Sequence, residues 1–153
     1  MGSLAGKVAV ITGGSRGIGR GIAEAYLAEG ASVVINGRSP EKGAATLRDW
    51  GTLDRARFVA GDVKKRADVE AVVDEAMTAF GRIDILVNNA GGALGTAKCT
   101  ENNMDDVATM LDANVKGVVA CTRAFSPGMV ERGCGHVVNI SSIAGVEWYG
   151  GGS

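Results

Sequence analysis

The stretch Val8-Ala-Val-Ile-Thr-Gly-Gly-Ser-Arg-Gly-Ile-Gly19 constrains the fold more than any other part of this chain, because it passes from an apolar run through a glycine cluster into a helix. Lys7 to Thr12 is rich in β-branched residues and nearly free of polar ones, the composition of a strand buried on both faces of a parallel sheet. Gly13 and Gly14 suit the tight turn that must follow. Gly17 and Gly19 leave no side chain between the backbone and whatever lies above it. Ile18, Ile22, Ala25, Tyr26 and Leu27 then recur at helical spacing, so the glycines end at a helix N-terminus. Free N–H groups and the positive end of the helix dipole make such a terminus an anion site, of the kind that holds a dinucleotide pyrophosphate.

The 153 residues suffice for one sizeable core, and a single domain over 1–153 is expected. Sixteen basic and seventeen acidic residues leave a net charge of −1, so neither nucleic acid nor an anionic membrane surface is an expected partner. No apolar run is long enough to span a bilayer, and no secretory segment precedes the first strand. Cys99, Cys121 and Cys134 are scattered without a Cys-x-x-Cys pair, as reduced thiols of a cytoplasmic protein would be, and no metal site is expected.

Read in order, strands and helices alternate. A helix over 17–29 stops at Gly30, and a strand over 32–36 leads to a helix with Ser39 as N-cap and Pro40 at its first position. A strand over 56–60, an amphipathic helix over 66–80 and a strand over 83–88 follow. The segment 101–132 reads as mostly helical with breaks near Asp112 and at Pro127, and 136–140 reads as a fifth strand. Repeated strand-helix-strand units predict an α/β fold, a Rossmann-type doubly wound parallel sheet with ligands at the carboxyl ends of its strands.

Several separate motifs agree with that fold: Thr12-Gly-x-x-x-Gly17-x-Gly19, Asp62-Val63, Asn88-Asn89-Ala90-Gly91, Asn114-Val-Lys-Gly, and Asn139-Ile-Ser-Ser142-Ile-Ala-Gly145. Together, in this order and over essentially the whole chain, they resemble the classical short-chain dehydrogenase/reductase family, whose N-terminal five strands the chain would supply. The resemblance implies a cofactor site of Gly13, Ser15, Arg16, Gly17, Ile18 and Gly19 at the pyrophosphate turn. It implies Asp62 and Val63 at the adenine, and Asn88, Ala90 and Gly91 on the adenosine and ribose side. Ser142 would be the catalytic serine, preferred to Ser141 because it stands three residues before Gly145, and Asn114 would hold a water of the proton relay.

A carboxylate at the end of the second strand would bind the free 2′-hydroxyl of NAD(H) and repel the 2′-phosphate of NADP(H). This chain has Asn36, Gly37, Arg38 and Ser39 there, with Arg16 in the glycine turn. Two arginines suit a phosphate, so NADP(H) is the expected cofactor and NAD(H) the alternative. The activity implied is hydride transfer between nicotinamide and a carbonyl or alcohol substrate, in a full-length homotetramer or homodimer. The family's Tyr-x-x-x-Lys acid/base pair is expected just beyond Ser153. Tyr149 has Ser153, not lysine, four positions on, and is expected in a loop beside Trp148. If the chain ended there it would be an inactive nucleotide-binding fragment, poorly stable because Val137-Val-Asn-Ile140 would be an exposed apolar sheet edge.

Overall fold

The computed structural model describes residues 2–51, 54–95 and 97–147; Trp148, Tyr149 and the terminal Gly150 to Ser153 lie outside them. Five strands form one sheet: β1 (Val8–Ile11), β2 (Ser32–Gly37), β3 (Ala56–Ala60), β4 (Ile85–Asn88) and β5 (His136–Asn139). All neighbours pair in parallel, in the order β3-β2-β1-β4-β5. The order reverses between β1 and β4, the place where a doubly wound sheet opens its binding crevice. Helices α1 (Gly17–Ala28), α2 (Pro40–Trp50) and α3 (Arg66–Phe80) make the first crossovers.

Alternation along each strand divides the core in two. Val10, Val34 and Leu86 pack with Val69, Val72 and Ala76 of α3 on one face. Ala9, Ile11, Val33, Ile35 and Val87 pack with Ala23 and Leu27 of α1 on the other. Both sides of β1 are therefore covered, and all four of its residues are buried. The α1 helix ends one residue before the expected position, with Glu29 as its cap. Gly30 adopts φ +88° and donates to Leu27, while Ala31 donates to Tyr26, closing the two orphan carbonyls of a Schellman turn.

Two other features also depart from the sequence reading. Strand β4 begins at Ile85, and Asp84 just before it is tied to β1 by both its backbone and its side chain. The Asp84 Oδ2 accepts the Val8 N–H at 2.9 Å, while Asp84 N–H donates to the Val8 carbonyl at 2.8 Å. Arg82 grips the other carboxylate oxygen with Nε at 3.0 Å and Nη2 at 2.6 Å. Burial alone would raise the pKa of Asp84, but the Arg82 hydrogen bonds and the Val8 N–H outweigh it and hold the carboxyl below its ordinary value. The unfolded chain thus takes up this proton first, so the contribution of Asp84 is full above the ordinary carboxylate range and is lost as pH falls through the lowered value. Asp84→Asn is expected to cost about 2 kcal/mol at neutral pH and to flatten the acid limb of the stability curve. Urea denaturation at neutral pH and in the acid limb checks both, and equal slopes in the two proteins would refute it.

The second difference lies in the long helical segment. It consists of α4 (Met104–Leu111), a π-helical turn (Asp112–Lys116), α5 (Gly117–Phe125) and α6 (Pro127–Glu131). The expected break near Asp112 is a π-turn, a feature that recurs at functional sites. Met104, Leu111, Val115 and Val119 leave one side of this segment apolar and exposed. At the sheet edge formed by β5, Val137 and, just past the strand, Ile140 also face solvent. Among the described residues no helix is long and apolar enough to cross a membrane.

Candidate functional site

The glycine turn leaves the carboxyl end of β1 and is fastened to the end of β4 by two residues whose roles the sequence reading did not assign. Thr12 is buried, and its hydroxyl accepts the N–H groups of Asn89 at 3.0 Å and Ala90 at 2.9 Å while facing the Val87 carbonyl at 3.3 Å. The Asn89 amide in turn donates to the carbonyls of Thr12 at 2.9 Å and Gly13 at 3.2 Å. The signal was present, because Thr12 and Asn89 stand inside the motifs, but their pairing joins residues far apart in sequence. Gly19 sits under this clamp: a Cβ there would collide with the Asn89 amide and stand 2.5 Å from the Gly13 carbonyl oxygen.

Gly17 is different. It takes φ +53°, and a Cβ on it would point into open space. The α1 N-terminus has Arg16 at its cap in extended conformation, no capping side chain and no acidic residue in its first turn. Among the described residues no side chain caps its first N–H groups, and the space above Gly17 is open.

At the end of β2, Asn36 turns inward, donating to the carbonyls of Val59 at 3.3 Å and Gly61 at 3.0 Å. That bond shapes the turn carrying Asp62. Gly37 is buried and Ser39 caps α2 by accepting the Lys42 N–H, so Arg38 alone of this quartet is exposed without a structural task. Arg16 is likewise exposed, and neither arginine side chain has an ion pair or hydrogen-bond partner among the described residues. The Asp62 carboxylate accepts the Lys64 N–H at 3.0 Å and lies 3.7 Å from the Lys64 ammonium, while its own N–H is held by Asp68 at 2.8 Å. Asp62 and Val63 adjoin Thr12 and Asn36 at a narrow crevice over the core, floored by Cys121. Burial pushes the Cys121 thiol up to about 11, so it remains a neutral core group.

Beyond β4, Asn114 of the π-turn grips the next loop with both ends of its amide. It accepts the Gly92 N–H at 2.9 Å and donates to the Gly92 carbonyl at 2.8 Å, and Gly91 has no room for a side chain beneath it. Asn88 is buried; its amide donates to Thr122 at 3.1 Å and Asn139 at 2.9 Å, joining β4 to α5 and β5. Its Oδ1 has no partner among the described residues. Ser142 lies three residues past β5, exposed, at the cap of a short 3₁₀ turn (Ile143–Gly145), and its Oγ accepts the Ala144 N–H at 3.2 Å. The glycine turn, Arg38, Asp62, Ala90 and Ser142 thus follow five different strands at one edge of the sheet.

The model of the short chain dehydrogenase family matches residues 7–153. This chain belongs to that family. Among curated short chain dehydrogenase relatives, an uncharacterized oxidoreductase of Staphylococcus aureus strain MRSA252 is 38% identical over 144 residues, covering 94% of this chain and 62% of the relative. The NADP-dependent 3-hydroxy acid dehydrogenase YdfG of Escherichia coli K12 is 38% identical over 146 residues, covering 95% of this chain and 58% of the relative. The chain therefore spans about three fifths of the length of such relatives. Among solved structures, serine dehydrogenase from Escherichia coli superposes with a TM-score of 0.88 at 39% identity, over 95% of this chain and 66% of that one. A closed form of serine dehydrogenase complexed with NADP+ gives the same TM-score of 0.88 at 39% identity, over 95% and 58%. The five parallel strands of this chain, with helices on both faces, superpose on those neighbours.

Proposed function

We propose that this chain is the cofactor-binding part of an NADP(H)-dependent oxidoreductase that moves a hydride between nicotinamide and a carbonyl or alcohol carbon. The observation that carries the reading is the pair of exposed arginines beside the glycine turn, without partners among the described residues, with no carboxylate at the end of β2. An NADP-dependent relative and a neighbour complexed with NADP+ support it. Gly13, Ser15, Gly17, Ile18 and Gly19 would receive the pyrophosphate at the α1 N-terminus, and Arg16 and Arg38 the 2′-phosphate. Asp62 would accept from the adenine amino group with Val63 against the ring, and the turn of Asn88, Ala90 and Gly91 would border the adenosine and its ribose. The bound cofactor supplies or receives the hydride.

The remaining work falls to this chain's own groups. Ser142 would hydrogen-bond the substrate oxygen. Asn114, with its side chain committed to Gly92, would use the surroundings of its π-turn to hold a water of the proton path. The exposed stripe of Met104, Leu111, Val115 and Val119 supports pairing of the full-length protein through this helix as a dimer or tetramer. Fluorescence titration tests the cofactor assignment: NADPH is expected to bind about tenfold or more tightly than NADH, the worth of one charge-assisted contact to the 2′-phosphate. Equal affinities would defeat the NADP(H) reading.

A further inference from the structure

One buried polar group near this site is used by neither the core nor the proposed cofactor contacts. Thr46 lies in α2 and is 1% exposed. Its single hydroxyl proton is shared between two carbonyls, that of Lys42 in its own helix at 2.9 Å and that of Ser15 in the glycine turn at 3.2 Å. The first bond is local and adds nothing to the helix. The second crosses from α2 to the turn.

Ser15 is held from the other side as well. A Cβ on Gly37 would stand 2.7 Å from the Ser15 Oγ, so the serine packs directly on the bare backbone at the end of β2. Arg16 is the residue after Ser15, and Arg38 is the residue after Gly37. The Ser15 carbonyl and the Arg16 N–H share one rigid peptide plane, so whatever fixes that carbonyl fixes the plane from which Arg16 projects. Thr46 also belongs to the helix whose cap, Ser39, follows Arg38, so it ties both arginine-bearing segments to one element.

We infer that Thr46 is a positioning residue that sets Arg16 beside Arg38 and thereby makes the site select a 2′-phosphate over a 2′-hydroxyl. This rests on the NADP(H) reading above and deepens it. Thr46→Val keeps the shape and removes the hydroxyl, leaving the Ser15 carbonyl free to turn; Thr46→Ser keeps the hydroxyl.

Calorimetric titration of 2′,5′-ADP and 5′-AMP into the wild type and both variants tests it, with no turnover required. Thr46→Val is expected to weaken 2′,5′-ADP about fivefold, the worth of one hydrogen bond, and to leave 5′-AMP unchanged. Thr46→Ser is expected to match the wild type with both ligands. A Thr46→Val protein that keeps its preference, or that loses both ligands in equal measure, overturns the inference while leaving the NADP(H) reading intact. Failure of Thr46→Ser to restore the preference overturns it too. A wild type that binds the two ligands equally removes the NADP(H) reading itself, and this inference with it.

Discussion

Replacing Gly19 with alanine is expected to weaken NADPH binding on the order of 100-fold, about 3 kcal/mol of overpacking and displacement at the turn. The added methyl has nowhere to go. It meets the Asn89 amide and comes within 2.5 Å of the Gly13 carbonyl oxygen, and both groups belong to the clamp that joins the turn to β4. Relief requires the turn to lift, which rotates the first N–H groups of α1 away from the pyrophosphate. Gly17→Ala makes the useful contrast. Its methyl would enter open space, so the protein should lose only the strain of a left-handed alanine, about 1 kcal/mol, while the methyl intrudes on the ligand. Paired binding and melting measurements on the two variants separate these effects. A Gly19→Ala protein with wild-type affinity would show that the clamp yields and that the account of the turn is wrong.

Ser142→Ala is expected to lower kcat of the full-length protein by about 10²–10³, the usual cost of removing a donor aimed at a developing oxyanion. NADPH affinity should stay within about twofold, because less than one weak hydrogen bond is at stake there. Ser142 follows β5, and the only hydrogen bond of its side chain among the described residues is from the Ala144 N–H, so no part of the glycine turn depends on it. Ser141→Ala is the control, since that serine has no hydrogen bond to lose among the described residues. Steady-state kinetics with a carbonyl substrate, run beside cofactor titration, reads both quantities. If Ser141→Ala loses the activity and Ser142→Ala keeps it, the assignment between the two serines is reversed.

Element order and most boundaries were legible in the amino-acid sequence because each depends on local chemistry. A strand covered on both faces reads as an unbroken apolar run, as Val8 to Ile11 does. Ser39 and Pro40 mark the start of α2, and Gly51 and Gly81 follow the ends of α2 and α3 in left-handed conformation. Parallel strands with short crossovers then leave few ways to wind the sheet, which is why the motifs were expected at one edge of it.

The sequence by itself therefore determined the doubly wound sheet and the stretches that border its crevice. Only the tertiary structure decided which polar side chains face that crevice and which are consumed in building it. Asn36 and Asn88 turn inward to carbonyls and side chains of neighbouring elements, whereas Arg16 and Arg38 remain outside without partners among the described residues. Asp84 takes the Val8 N–H with its side chain just before β4, and Thr46 reaches from a helix to the turn. The physical reason is separation along the chain. Hydrophobic period and turn chemistry act over a few residues, but Asn89 finds the Thr12 hydroxyl across 77 positions, and no local pattern states that partner.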